Sequence, residues 1–392
     1  MFFYKYNQVS PLSLMMLKRG EVYFASAIEL NDKHECRAQY VFNGTKDVWI
    51  RFIDYILVEL VVNYGIYSSS IEETKKFFSL ASLIYEILVK NDKRKNYDFE
   101  FLLDALPKSI IKACATELDV QHEKEILKFI PELFASILKD DLREQKYIAS
   151  FSLNAVNPTM WGHYANAESG FLVIYESEKG NVEVKSTLNN LSGYRKKSGI
   201  TEIGRYNNEI LPLKKVKYSK IPCKINGFYQ LIHKFRYSEM EAHYDVPESF
   251  YGEIRKIQED LVGLVKYTDW KYENEVRLLF PTFERLPSAL RCLEVSRKHI
   301  RGVIFGSSTS DSDKRKIVMA CYHLNQTGKS KNDFVFLQAV DSHKDYKMKI
   351  EPFGVLNDIC FGEVIPIDEY DALEDKKKNM LMDLCIEISK GS

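Results

Sequence analysis

The sequence predicts an α+β protein: a mixed, mainly antiparallel sheet core that carries a large all-helical insertion and ends in a C-terminal helix. Three observations predict it. Short runs rich in β-branched and aromatic residues, bounded by turn residues, cluster before residue 47 and after residue 146. Between them apolar side chains recur at helical spacing, beginning with Trp49, Ile50, Ile53, Ile56, Leu57 and Leu60. A length of 392 residues exceeds the usual size of one hydrophobic core, so a core domain with a second inserted body is expected. The expected division is a core over 1–46 and 147–392 and a helical insertion over 47–146.

In order along the chain, residues 2–6 read as a strand and 11–19 as a helix that Gly20 terminates. Residues 21–25 alternate as a second strand and end near Asn31 and Asp32, whose side chains favour turns. Within the insertion, further helical patterns lie near 72–90, 100–117 and 123–140. Strand character resumes at 147–152 and 171–175, and again at 182–185, 213–218, 276–280 and 302–305. A helical stretch over about 228–266 separates two of these. Ser310 and Asp311 cap a helix to about residue 324, two strands follow near 334–350, and 368–392 reads as a surface helix. The segment 302–308 lacks the Gly-Lys-Ser ending of a phosphate loop and reads as a strand-to-helix turn.

Composition narrows the function classes. Hydrophobic residues make up 45% of the chain and aromatic ones 13%, which excludes the disordered class. The 55 basic and 55 acidic side chains cancel, so no global field draws the chain to nucleic acid or an anionic membrane. Seven cysteines, odd in number and without a Cys-x-x-Cys pair, argue against a disulfide framework or a zinc site. The N-terminus does not read as a signal peptide, and the longest apolar run, near 55–67, contains Glu59 and Asn63. The expectation is a cytoplasmic protein with no membrane partner.

Three constellations could carry chemistry. Over 270–281, a strand would put Glu273, Glu275 and Arg277 on one face, with Tyr272, Asn274, Val276 and Leu278 on the other. Close carboxylates raise one another's pKa and a nearby Arg lowers it, so one glutamate could stay ionised while the other serves as a base. The same residues would also make a solvated strand face with an ion pair. Second, Trp161, His163 and Tyr164 offer a stacking plane, an imidazole and a hydroxyl within four residues; an aromatic helix packed on the sheet reads equally well. Third, Tyr4 and Tyr6 share a face of the first strand, and Ser26, Asn31, Asp32 and Glu35 follow the second, where α/β sites tend to form. Plain turn chemistry is the alternative for Asn31 and Asp32.

Taken in order, Tyr4-Lys5-Tyr6, the Leu17 to Gly20 helix end, Val22 to Ser26, Asn31-Asp32 with Glu35, Phe151-Ser152, Met160 to Ala165 with Gly170-Phe171, Val216 to Tyr218, and Lys266 with Trp270, Glu273, Glu275 and Arg277 resemble the bacterial domain-of-unknown-function family 2971. Lys33 stands where a proline usually follows the Asn-Asp pair, and the block 47–146 lies outside the pattern. The arrangement further looks like the ADP-ribosyltransferase fold, with its late Glu-x-Glu strand. That resemblance implies roles for particular residues. Glu275 would stabilise the oxocarbenium-like centre as nicotinamide leaves, and Glu273 would activate the acceptor. Tyr4 or Tyr6 and Ser26 would hold NAD beside Asn31 and Asp32, Trp161 or Tyr164 would stack on a ring, and His163 and Arg277 would contact phosphate or orient a carboxylate. No metal is called for. Arg277 and the Trp-Gly-His-Tyr-Ala segment depart from that fold's usual motif.

The leading expectation is therefore an NAD-consuming ADP-ribosyltransferase or NAD glycohydrolase, a toxin-like effector of anti-phage defence acting on a protein or nucleic acid acceptor. A metal-dependent nuclease or phosphodiesterase would use Glu273, Glu275, Asp32 and His163. A non-catalytic sensor would bind a nucleotide or a protein partner, with the helical insertion as its interface or a surface for self-association.

Overall fold

The computed structural model describes residues 1–32, 34–64, 76–90, 97–117, 130–142, 147–186, 191–197, 200–206, 208–228, 231, 262–280, 286–327, 334–342, 344–356, 363–367 and 375–390. The chain forms two compact units. The first joins Met1–Glu35, Gln145–Lys220 and Gly263–Ser392, and the second joins Cys36–Glu144 to Ile221–Val262.

The first unit is a mainly antiparallel α+β body. Its ten-stranded sheet runs in the order Lys214–Lys215, Glu275–Phe280, Tyr147–Ser152, Phe2–Asn7, Phe171–Glu176, Ile300–Phe305, Val335–Asp341, Met348–Leu356 and Val364–Pro366, with Ala25–Ser26 also beside Tyr147–Ser152. Within this sheet one pairing is parallel, Ile300–Phe305 with Val335–Asp341, and helix Asp311–Thr327 makes the crossover that a parallel pair needs. A four-stranded sheet of Asn208–Pro212, Asn181–Ser186, Cys292–Val295 and Glu21–Tyr23 lies in the same unit.

Alternation along the strands sorts side chains into two cores. Phe171, Val173 and Tyr175 join Phe3, Phe151, Val22, Val184 and Leu293 in one, which also takes Ile317, Cys321 and Leu324 of the crossover helix. Leu172 and Ile174 face the other, with Tyr4, Trp161, Ile304 and Leu337. Helix Asp375–Lys390 buries Leu381, Leu384, Cys385 and Ile388 there, so the expected surface helix presents one apolar face to a core. Burying each such side chain stabilises by roughly 1.5–3 kcal/mol.

The edge of strand Tyr147–Ser152 positions the site. Glu275–Phe280 pairs along its whole length on one side. On the other side Phe2–Asn7 meets it only at Tyr4 opposite Ser152, while Ala25–Ser26 takes the Ile148 and Tyr147 end. Between these two contacts the neighbouring strands part. The sequence reading of 21–25 as one strand is corrected here: Glu21–Tyr23 belongs to the four-stranded sheet, Phe24 N–H donates to the Arg291 carbonyl at 2.9 Å, and Ala25–Ser26 enters the large sheet. Gly20 ends helix Pro11–Arg19 as expected, at φ 66°, a conformation that a side chain would strain.

Other boundaries also shift. The expected strand over 213–218 is two, and Lys217–Ser219 pairs with Val265–Tyr267 instead of joining the large sheet. The hairpin of Leu191–Lys197 and Ile200–Tyr206 had no counterpart in the sequence reading. Most of the predicted helical stretch over 228–266, and parts of those near 72–90 and 123–140, lie outside the described residues; the end of the first is corrected, since Val265–Tyr267 is a strand.

The second unit is not all-helical. Helices Lys46–Tyr64, Phe99–Glu117 and Ile130–Leu142 accompany a three-stranded sheet in which Ala38–Phe42 lies between Cys223–Asn226 and Tyr97–Asp98. This unit therefore begins at Cys36 and includes Ile221–Val262, unlike the expected 47–146 block. A strand pair joined across such a long separation leaves no local periodicity to read. Its core is aromatic, with Trp49, Phe52 and Phe228 packed edge to face. Among the described residues no helix is long and apolar enough to cross a membrane.

Candidate functional site

A cavity of about 450 Å³ opens in the first unit where the strands part. Its walls include Lys5 and Tyr6 from the first strand, Asn31 and Glu35 from the loop after Ala25–Ser26, and Ser150 and Ser152 from the split-edge strand. Tyr164, Lys266, Glu273, Glu275 and Arg277 add to its polar lining.

The local chain path explains how Glu273 and Glu275 come together. Glu275 begins the strand, but Glu273 ends the 3-10 helix Thr268–Glu273, which corrects the expectation that both project from one strand face. Asn274 between them is left-handed, at φ 43° and ψ 55°, a region that Asn tolerates better than most residues. The kink is pinned from the next strand: Ser152 Oγ donates to the Glu273 carbonyl at 2.6 Å, and Leu153 N–H donates to the Asn274 carbonyl at 2.9 Å.

Five charged side chains, each at most 5% exposed, then form one network. Arg277 Nε and Nη2 donate to the two Glu275 oxygens at 2.6 and 2.9 Å. Its Nη2 also reaches Glu35, and its Nη1 donates to the Gly263 carbonyl at 2.7 Å. Lys266 Nζ sits 2.6 Å from Glu273, 2.9 Å from Glu35 and 3.3 Å from Glu275, and 4.8 Å above the Trp270 ring. Glu35, Glu273 and Glu275 against Lys266 and Arg277 leave one net negative charge.

The two pocket glutamates differ. Burial alone would raise both. At Glu275 the Arg277 guanidinium, with help from Lys266 and Ser150, outweighs burial and holds the pKa down at about 2. At Glu273 burial prevails over Lys266 and the Tyr164 hydroxyl, so its pKa stays above the ordinary glutamate value. Tyr164 Oη donates to Glu273 at 2.5 Å and accepts from Asn31 Nδ2. Burial, then that bond to Glu273, pushes the Tyr164 phenol up, so it remains a donor.

The depressed Glu275 pKa is a statement about stability. A folded value near 2 against an ordinary 4.5 means that its contribution is complete above pH 4.5 and lost as pH falls toward 2. Urea melts should accordingly show the stability gap between wild type and Glu275→Gln closing over that window. A gap that stays constant from pH 5 to about 2.5 would refute the assignment.

Of the predicted site residues, Glu273, Glu275, Arg277, Tyr164, Asn31, Tyr6 and Tyr4 line this one cavity. Tyr4 does so while only 2% exposed, and the Tyr6 hydroxyl donates to the Asn154 carbonyl at 2.8 Å. Four others are placed elsewhere. Trp161 is fully buried, donates its indole N–H to the Ala155 carbonyl at 2.8 Å and packs edge to face on Tyr6, so it offers no open ring to stack on. His163 is exposed, with a ring nitrogen 3.3 Å from the Tyr272 hydroxyl. The Asp32 carboxylate accepts the His34 backbone N–H at 2.8 Å, which is turn chemistry. Ser26 pairs with Glu29, which Arg291 in turn clasps. Ser26→Ala should therefore cost about 1 kcal/mol of stability as a lost cap, read by urea melt, and leave ligand affinity unchanged. A weakened nucleotide affinity in that variant would return Ser26 to the site.

Sequence reasoning gave no chemical role to Lys5 or Lys266, and placed Glu35 in a candidate constellation without its charged partners. Lys5 carried a signal: it shares a strand face with Phe3, so a lysine was pointed toward an apolar core. Among the described residues no group of three or more His, Cys, Asp and Glu is arranged to hold a metal ion. Lys266 and Arg277 instead lie among the three carboxylates, where a metal would have to sit.

Residues 160–278 match a family model described as a protein of unknown function, DUF2971. The matched stretch contains Tyr164, Lys266, Glu273, Glu275 and Arg277. No curated protein and no solved structure matches the chain.

Proposed function

We propose that this chain, a member of the DUF2971 family, cleaves the N-glycosidic bond of a nucleotide, with NAD⁺ as the substrate. The observation that carries the reading is the pair of glutamates on one cavity wall, one held ionised and the other with a raised pKa. Two carboxylates driven apart in pKa suit the two tasks of glycosidic cleavage.

In this reading the bond between the ribose C1′ and the nicotinamide nitrogen breaks, and its electron pair leaves on the nitrogen, cancelling that atom's positive charge. C1′ is left as an oxocarbenium-like cation. The Glu275 carboxylate, fixed by Arg277, supplies preorganised negative charge to that centre. Water or an acceptor then bonds to C1′ and gives its proton to Glu273, whose raised pKa suits a base. Tyr164, bonded to Glu273 and Asn31, fixes the base in place.

The test is NAD⁺ loss and nicotinamide release by the purified full chain, with and without cell lysate as a source of acceptors. Release in buffer alone means a glycohydrolase, and release only with lysate means a transferase. Absence of release under both conditions overturns the reading. The completeness of the ion network favours one second reading, a nucleotide-binding module, because Arg277 already engages both oxygens of Glu275. That reading predicts saturable NAD⁺ binding without turnover.

A further inference from the structure

Lys5 stands apart from the other two cations of the cavity. Lys266 and Arg277 are both taken up by carboxylates, whereas no carboxylate forms an ion pair with Lys5 among the described residues. Among the described residues its Nζ makes one hydrogen bond, to the Ser150 carbonyl at 2.9 Å, and lies 5.4 Å from the centre of the Phe151 ring. An ammonium group has three donors, so two remain for a ligand. The part-buried amine lies where the strands part, and the cavity continues from it past Gln8, Ser10 and Ser13 at the start of helix Pro11–Arg19.

We propose that Lys5 is the anion-binding residue of this cavity and takes a phosphate group of the substrate, so that the site accepts a nucleotide and discriminates against the nucleoside. This rests on the glycosidic reading for the identity of the substrate, but not for the binding of the anion. Burial makes the amine a costly charge and lowers its pKa to about 8, partly offset by the field of Glu275. A bound phosphate would repay that cost with a charge-assisted hydrogen bond. The competing explanation is structural: Lys5 holds the Ser150 carbonyl at the point where the strand edge lacks a neighbour.

The test is calorimetric binding of ADP-ribose, inorganic pyrophosphate and adenosine to the full chain as wild type, Lys5→Met and Lys5→Arg. Wild type should bind ADP-ribose and pyrophosphate saturably, and adenosine about ten- to a hundredfold more weakly than ADP-ribose. Lys5→Met should lose that same factor for ADP-ribose and leave adenosine unchanged, and Lys5→Arg should restore most of it. Lack of phosphate binding by wild type overturns the proposal, as does equal affinity in Lys5→Met. If Lys5→Met does not fold, the wild-type preference and the Lys5→Arg affinities decide alone: no preference for ADP-ribose over adenosine overturns it. Anion binding without nicotinamide release would keep Lys5 and sink the cleavage reading; release with unchanged affinities in Lys5→Met would do the reverse.

Discussion

Nicotinamide release by Glu275→Gln is expected to fall about 10²- to 10³-fold below wild type, with KM for NAD⁺ little changed. The substitution keeps the size of the side chain and its carbonyl acceptor, and removes the charge. Glu275 is the member of the pair held ionised far below neutral pH, so its charge is present throughout the cycle. Charge aimed at a developing cation acts on the transition state more than on the bound substrate, and kcat should carry the loss. A fall in release of less than about tenfold, or one confined to KM, would remove Glu275 from the chemical step. Because amide substitution also leaves Arg277 short of a partner, activity should be compared at a temperature where the variant is folded by circular dichroism.

Arg277→Met should destabilise the first unit by about 3–5 kcal/mol, the cost of leaving buried carboxylates without their counter-ion. Arg277 is fully buried, spans Glu35, Glu275 and the Gly263 carbonyl, and has the strongest claim to holding the network together. Methionine fills part of the volume, which separates the charge effect from a packing defect. Lysine retains the charge but cannot reproduce the two bonds to Glu275, so Arg277→Lys should recover only part of the loss. Urea unfolding followed by circular dichroism reads both. A change below about 1 kcal/mol in Arg277→Met would refute the reading of Arg277 as the counter-ion that holds the network.

The α+β architecture was legible because strand alternation and helical spacing are local. Phe171, Val173 and Tyr175 against Leu172 and Ile174 declare a strand buried on both faces. The site was legible in part. Glu273 and Glu275 lie two residues apart, and Tyr6, Tyr164 and Asn31 are polar groups next to strand or helix ends, so residue type and position pointed to them. Glu35 reads from sequence as one of the polar groups after the second strand, but its partner does not, since Arg277 lies 242 residues away and nothing local couples them. Trp161 was misplaced for a related reason. Its helix could present the indole to ligand or to core, and only packing against Tyr6 and the Ala155 carbonyl decides. The three-stranded sheet of the second unit was missed because its partners, Ala38–Phe42 and Cys223–Asn226, are far apart in the chain.

The left-handed Asn274 has a consequence for recognising an intact site in other sequences. A valine or isoleucine there would suit an extended strand better, yet it would oppose the kink that turns Glu273 toward Lys266, by about 1–2 kcal/mol. Such a chain would still spell Glu-x-Glu while straightening the path between the two glutamates. Asparagine, aspartate or glycine at the middle position is therefore the more discriminating mark, and a search keyed to the two acids alone would collect proteins whose pair has come apart.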